Sequence, residues 1–227
     1  MINSPSIANC DLLRIGQQID ELIRGNVKFL HIDLMDGHYV PNLWFPINIV
    51  KAIKQAHPQI VADVHLMVTN PFDYVDVLAA SGANYFSFHL DSTSFCIRLI
   101  NQIKSKGMKA GVVINPSQPI ASLEPLVPYL DLVILMTVEP GYAGQKFMDG
   151  SLERLAALNA LRQKHQARFL ISVDGGIDYP NSHASLELGA DILITGIYTV
   201  FNQPDGLTEA CLRFENAMSR HSEGGAS

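Results

Sequence analysis

Short apolar, β-branched runs recur along this chain at intervals that leave room for one helix between each pair. They lie at 6–9, 29–35, 60–67, 85–90, 109–114, 132–138, 169–174 and 191–196. Between them stand segments with helical apolar spacing and good helix formers: LLRIGQQIDELI, NIVKAIKQA, PFDYVDVLAAS, FCIRLINQIKSKG, ASLEPLVPYL, SLERLAALNALRQKH and NSHASLELG. Continuous apolar runs suit strands buried on both faces, and their alternation with helices implies parallel pairing through right-handed crossovers. Eight such units predict an α/β chain closed into a (β/α)8 TIM barrel, and the 227 residues come near the roughly 250 typical of that fold. An open doubly wound sheet is the competing architecture, but no GxGxxG follows the first strand. Neither a composition shift nor a long linker divides the chain. Residues 1–220 are therefore expected to form one barrel domain, and the polar, small-residue end at 221–227 a flexible tail.

The bulk numbers narrow the partners. The chain is 48% hydrophobic and 17% charged with a net charge of −6, and its basic residues are scattered rather than gathered in a stripe. That argues against a nucleic-acid surface, and an anionic substrate would need local donors. Cys10, Cys96 and Cys211 lie far apart without CxxC spacing, so a disulfide framework or zinc ribbon is not expected and a reducing compartment is. No basic stretch followed by an apolar one opens the chain, and no apolar run reaches the roughly 18 residues of a membrane span. These features predict no membrane association and a cytoplasmic location.

The chemistry sits at strand ends. In HIDLMDGHYVPN at 31–42, strand alternation places His31, Asp33 and Met35 on one face. VADVHLMV at 61–68 adds His65, and FLISVDGG at 169–176 adds Asp174. Catalytic groups of a (β/α)8 barrel gather at the carboxyl ends of its strands, which is where all four would stand. Two imidazoles and two carboxylates suit one divalent ion, with Zn2+, Fe2+, Mn2+ and Co2+ all compatible with such donors. A bound dication would polarise a sugar carbonyl and its neighbouring hydroxyl, and aspartates on opposite faces could remove and return a proton, inverting a stereocentre. The glycine-bearing loops PGYAGQ (140–145), DGG (174–176) and TGIY (195–198) would open on the same rim, where backbone N–H groups can hold phosphate. Met35, Met67 and Met136 each close an apolar run and serve either as core filler or as an apolar floor that excludes water. His89 is expected in the barrel wall or behind the ligands, since Phe86 and Phe88 flank it. His38 should shape its loop by hydrogen bonding, and His57, His165, His183 and His221 should be solvated.

PSIANCD, HIDLMDGHYVPN, DVHLMV, NP at 115–116, MTVEPGYAGQKF and SVDGGI stand in an order that resembles the ribulose-phosphate 3-epimerases, metal-dependent (β/α)8 barrels of carbohydrate metabolism. The resemblance runs nearly end to end. It implies that His31, Asp33, His65 and Asp174 hold the metal, with Asp33 and Asp174 the acid/base pair. It also implies that Ser6, His65 and the loop Ala143, Gly144, Gln145 and Lys146 contact substrate. Gly175, Gly176, Gly196 and Ile197 would contribute to the phosphate pocket, and Met35, Met67 and Met136 would cap an enediolate. The implied reaction interconverts D-ribulose 5-phosphate and D-xylulose 5-phosphate, in a homo-oligomer (dimer or hexamer). Where the family commonly has a glycine-serine pair this chain reads Gly196-Ile197, and Ala143 replaces a frequent glycine. Allulose-6-phosphate 3-epimerases resemble the chain in that loop, so a six-carbon ketose phosphate is the competing substrate. A catalytically silent sugar-phosphate-binding barrel is the competing class.

Overall fold

In the computed structural model, residues 1–224 are described, with side chains through Ser219. Its strands are β1 (Ile2–Pro5), β2 (Phe29–Asp36), β3 (Leu43–Trp44), β4 (Val61–Met67), β5 (Tyr85–His89), β6 (Lys109–Ile114), β7 (Leu132–Met136), β8 (Leu170–Asp174) and β9 (Ile192–Thr195). They form one sheet in the order β1-β9-β8-β7-β6-β5-β4-β2-β3, and every pairing is parallel except the short antiparallel β2–β3 hairpin. A parallel bridge between Ser6 and His31 joins the end of β1 to β2 and closes eight strands into a ring. The expected (β/α)8 barrel is the fold.

Outside the ring run α1 (Ile15–Arg24), α2 (Asn48–Ala56), α3 (Val75–Ser81), α4 (Cys96–Ser105), α5 (Ser151–Lys164), α6 (Tyr179–Glu187) and α7 (Gly206–Gly224). The helix α7 enters the segment expected as a tail, and 225–227 lie outside the described residues. Two expectations are corrected. The first strand is Ile2–Pro5, not 6–9: Ser6 caps a 3-10 turn at Ile7–Asn9, its Oγ accepting from the Ala8 amide at 3.3 Å. The segment Ile120–Tyr129 is 3-10 helix rather than α, because Pro125 and Pro128 each remove a backbone donor from its interior. No described helix is long and apolar enough to cross a membrane.

Strand parity divides the core in two. Leu30, Ile32, Phe86, Phe88, Val112 and Ile171 face outward and pack, fully buried, against helix residues such as Leu22, Leu99, Ile103 and Phe214. Tyr85, Val113, Leu132, Ile134, Met136, Ile192 and Ile194 fill the lumen. The alternation that sends Phe86 and Phe88 outward turns Ser87 and His89 inward. Where Ser87 meets its β6 partner the lumen is so tight that a Cβ on Gly111 would collide with Ser87 Oγ and come within 3.0 Å of its Cβ. Gly111→Ala should therefore destabilise the barrel by about 1–3 kcal/mol, the usual cost of overpacking. Adding Ser87→Ala should restore part of that loss, read from the two urea unfolding midpoints.

Candidate active site

The side chains expected to carry chemistry reach the barrel mouth from three strands. His31 and Asp33 come from β2, His65 from β4 and Asp174 from the last residue of β8. One donor atom from each lies within 4.8 Å of the other three. His31 Nε2 is 3.3 Å from Asp33 Oδ1, 3.3 Å from His65 Nδ1 and 3.7 Å from Asp174 Oδ2. His65 Nδ1 is 3.2 Å from Asp33 Oδ1 and 3.5 Å from Asp174 Oδ2. Ligands about 2.1 Å from one ion at tetrahedral angles stand about 3.4 Å apart, so these separations fit donors arranged around a common divalent cation.

Behind His31, His65 and Asp33 sit partners that orient them. His31 Nδ1 meets Asp63 Oδ2 at 2.8 Å, His65 Nε2 meets His89 Nε2 at 2.9 Å, and Ser6 Oγ donates to Asp33 Oδ2 at 2.6 Å. Asp63 was not singled out in the sequence, although its position two residues before His65 gives it the same inward parity. His89 stands behind His65, one of its two expected places.

Electrostatics follow from this packing. Burial alone would push the His31 imidazolium down, but Asp33 and Asp63 outweigh it and hold its pKa well above the ordinary histidine value. Burial also opposes a charged His65, yet Asp174 and Asp33 raise it. Asp33, although desolvated, is held far below the usual carboxylate range by His31 and His65. For His89, burial and the neighbouring His65 charge act together and keep the ring neutral.

Above the four donors opens a cavity of about 100 Å3. Its wall includes Ser6, Asp33, Asp174, the three methionines Met35, Met67 and Met136, and Ala143, Gly144, Gln145, Gly175, Gly176, Gly196 and Ile197. His65 and Lys146 are off that wall: His65 is fully buried, and the Lys146–Phe147 backbone packs so closely on Gly176 that a Cβ there would collide with the Phe147 amide nitrogen. Tyr142 and Tyr198, which the sequence reading passed over, line the mouth. Together with Asn42 they strap the loop after β7. Asn42 Nδ2 donates to the Gly141 carbonyl at 3.0 Å, Tyr142 OH to the Pro41 carbonyl at 3.0 Å and Tyr198 OH to the Gly144 carbonyl at 2.7 Å. His38 shapes its own loop, as expected, through Asp36. His57 and His165 are not simply solvated, since they pair with Asp20 and Glu124. His183 is half-buried, and the side chain of His221 lies outside those described.

Comparison with known proteins agrees with this architecture. Residues 2–201 match the model of the ribulose-phosphate 3 epimerase family. The chain belongs to that family. It is 39% identical over 193 residues to the ribulose-phosphate 3-epimerase of Aquifex aeolicus, covering 85% of this chain and 86% of the relative. It is 37% identical over 203 residues to the Bacillus subtilis enzyme of the same name, covering 89% and 93%. Among solved structures, 3-hexulose-6-phosphate synthase from Salmonella typhimurium superposes with a TM-score of 0.73 at 19% identity, covering 97% of this chain and all (100%) of that one. Phosphoribosyl anthranilate isomerase from Thermus thermophilus gives 0.68 at 13%, with 97% and 100% covered. At those identities the likeness concerns the fold.

The raised imidazoles set the sign of a pH dependence. In the metal-free protein the His31 contribution to stability is complete below its unfolded value of about 6.5 and is lost as pH rises through the higher folded value. The Asp33 contribution is present above about 4 and is lost as pH falls. A cation entering the site must displace the imidazole protons. With Zn2+ as the probe ion, affinity should therefore tighten as pH rises from 5.5 to about 8, with proton release visible by calorimetry in buffers of different ionisation enthalpy. A pH-independent affinity would contradict the cluster.

Proposed function

We propose that this protein is a divalent-metal-dependent ketose-phosphate 3-epimerase acting on D-ribulose 5-phosphate and D-xylulose 5-phosphate. The observation that carries the reading is the set of four donors spaced for one cation beneath a cavity walled by three methionines and glycine-rich loops. The names of the A. aeolicus and B. subtilis relatives support the substrate. His31, Asp33, His65 and Asp174 would hold Zn2+, Fe2+, Mn2+ or Co2+, which when bound polarises the ketose carbonyl and stabilises negative charge on oxygen.

The remaining work belongs to the chain's own residues. Asp33 and Asp174, on opposite sides of the reacting carbon, exchange roles: one removes the C3 proton and the other delivers a proton to the opposite face, so the configuration inverts. The Ser6 hydroxyl, donating at 2.6 Å, keeps Asp33 oriented for that transfer. Met35, Met67 and Met136 exclude water from the planar, electron-rich enediolate, which would otherwise be protonated from solvent. Phosphate is bound by backbone N–H groups at Gly175, Gly176, Gly196 and Ile197. Gly175 and Gly176 have φ of +118° and +62°, which favour glycine and let the backbone turn into the pocket. Ile197 offers no hydroxyl, so the phosphate grip here is made by the backbone.

Metal-loaded protein should exchange the C3 hydrogen of D-ribulose 5-phosphate with solvent deuterium, followed by NMR, and Asp33→Asn or Asp174→Asn should each lower that rate by roughly 100-fold or more. Faster exchange on D-allulose 6-phosphate would move the substrate to six carbons. Binding without exchange on either sugar would leave only a sugar-phosphate-binding barrel. The free thiols of Cys10, Cys96 and Cys211 support a cytoplasmic setting. Leu13, 96% exposed between β1 and α1, and Leu43, 72% exposed on β3, support self-association into a dimer or hexamer. Light scattering on the eluting protein should give a mass above one chain.

A further inference from the structure

The two imidazoles of the candidate centre turn different nitrogens toward it. His31 presents Nε2 and has Nδ1 against Asp63, whereas His65 presents Nδ1 and has Nε2 against His89. Asp63 is a carboxylate acceptor and can take the His31 Nδ1–H directly. His89 is another imidazole, which accepts only if its Nε2 is bare and its proton sits on Nδ1. The proton position on His89 therefore decides whether His65 can offer Nδ1 as a lone-pair donor.

What holds that proton is found one strand further round the barrel. Asn115, directly after β6, lies in hydrogen-bonding reach of His89, and the two buried atoms of this pair without a well-aligned partner are His89 Nδ1 and Asn115 Oδ1, a donor and an acceptor. The backbone of Asn115 is fixed on both sides, its N–H donating to Gln118 Oε1 at 2.9 Å and its carbonyl accepting from Arg154 Nη2 at 2.8 Å. Its amide Nδ2 donates to Tyr39 OH at 2.7 Å, and Tyr39 OH donates to Asp91 Oδ1 at 2.7 Å. The Tyr39 ring stacks on His89, with centroids 4.5 Å apart. Because Tyr39 spends its proton on Asp91, Asn115 must turn its NH2 toward the phenol, which leaves its carbonyl oxygen for His89. Every donor then points the same way, from His65 outward to an exposed carboxylate.

We propose that the chain His89–Asn115–Tyr39–Asp91 fixes the tautomer of His65, so that His65 offers Nδ1 where His31 offers Nε2, and that Asp91 at the barrel rim is the outer anchor of this positioning relay. The inference rests on reading the four donors as a metal centre. Outer partners of ligating histidines commonly contribute 10–100-fold in metal affinity, and a neutral partner such as His89 conveys the pull of Asp91 only while the chain is intact.

The full chain is tested with Zn2+ and Co2+ as probes. In the zinc-loaded protein, 15N spectra of labelled histidine should show His89 protonated at Nδ1 and bare at Nε2, with His65 protonated at Nε2. His89→Phe should weaken Zn2+ binding about 10–100-fold by chelator competition. Tyr39→Phe keeps the stacked ring and breaks the chain, and Asp91→Asn removes the anchoring charge; both should weaken binding severalfold and shift the visible bands of the cobalt form. A proton on His89 Nε2 would overturn the relay. So would wild-type zinc affinity and an unchanged cobalt spectrum in both Tyr39→Phe and Asp91→Asn, which decide the matter even if His89→Phe fails to fold. If the wild-type protein holds neither ion, the metal reading itself fails, and the His89 tautomer in the metal-free protein still tests the chain.

Discussion

Packing two carboxylates and two imidazoles into one desolvated space is the constraint on which the rest of this molecule depends. His31 and His65 are fully buried and Asp33 nearly so, and charged groups withdrawn from water are tolerated only when paired and hydrogen-bonded. Here each has a partner on both sides: toward the common centre, where attraction between the imidazoles and the carboxylates opposes desolvation, and outward to Asp63, His89 or Ser6. A single oppositely charged pair would settle into an ion pair with no vacant direction. Four donors drawn from three strands cannot collapse onto one another, because the barrel wall holds their backbones apart.

Closure of the ring and construction of the site are the same event. The bridge between Ser6 and His31 completes the barrel, and within one turn of it Ser6 Oγ reaches Asp33. Any loosening of β1 from β2 would release the serine that orients one carboxylate and shift the backbone that carries both His31 and Asp33. Strand parity links core to chemistry in the same way. The outward Leu30, Ile32, Phe86 and Phe88 that anchor the helices fix the heights at which the inward His31, Asp33 and His89 stand.

The loop after β7 lies across the cavity mouth. Asn42 and Tyr142 tie it to the loop after β2, and Tyr198 ties it to the turn after β9, so it crosses the mouth with an anchor on either bank. These tethers are single hydrogen bonds, each worth about 1 kcal/mol net. Ile197 and Tyr198 make the turn after β9 a bulky one that lines the cavity. The Ile197 side chain lies 3.3 Å from where a Cβ on Gly144 would stand, so loop and turn pack against one another.

Most of the architecture could be read from one dimension, because apolar runs of strand length alternating with helical patterns have few ways to bury both faces. The same periodicity placed His31, Asp33, His65 and Asp174 at strand ends. What the pattern misplaced was one strand with little apolar signal and one helix whose type its apolar spacing could not fix. The strand Ile2–Pro5 has little of its own, and its burial comes from β9 and β2. The prolines of Ile120–Tyr129 changed the helix type without changing its apolar spacing. Residue types and strand parity belong to the sequence, since they follow from local chain geometry. Partnership belongs to the tertiary structure: that His89 backs His65, that Asp63 backs His31, that Tyr39 links Asn115 to Asp91 and that Tyr198 reaches Gly144. Those contacts join residues 24 to 76 positions apart, and only the curvature and shear of the closed barrel bring them within hydrogen-bonding distance.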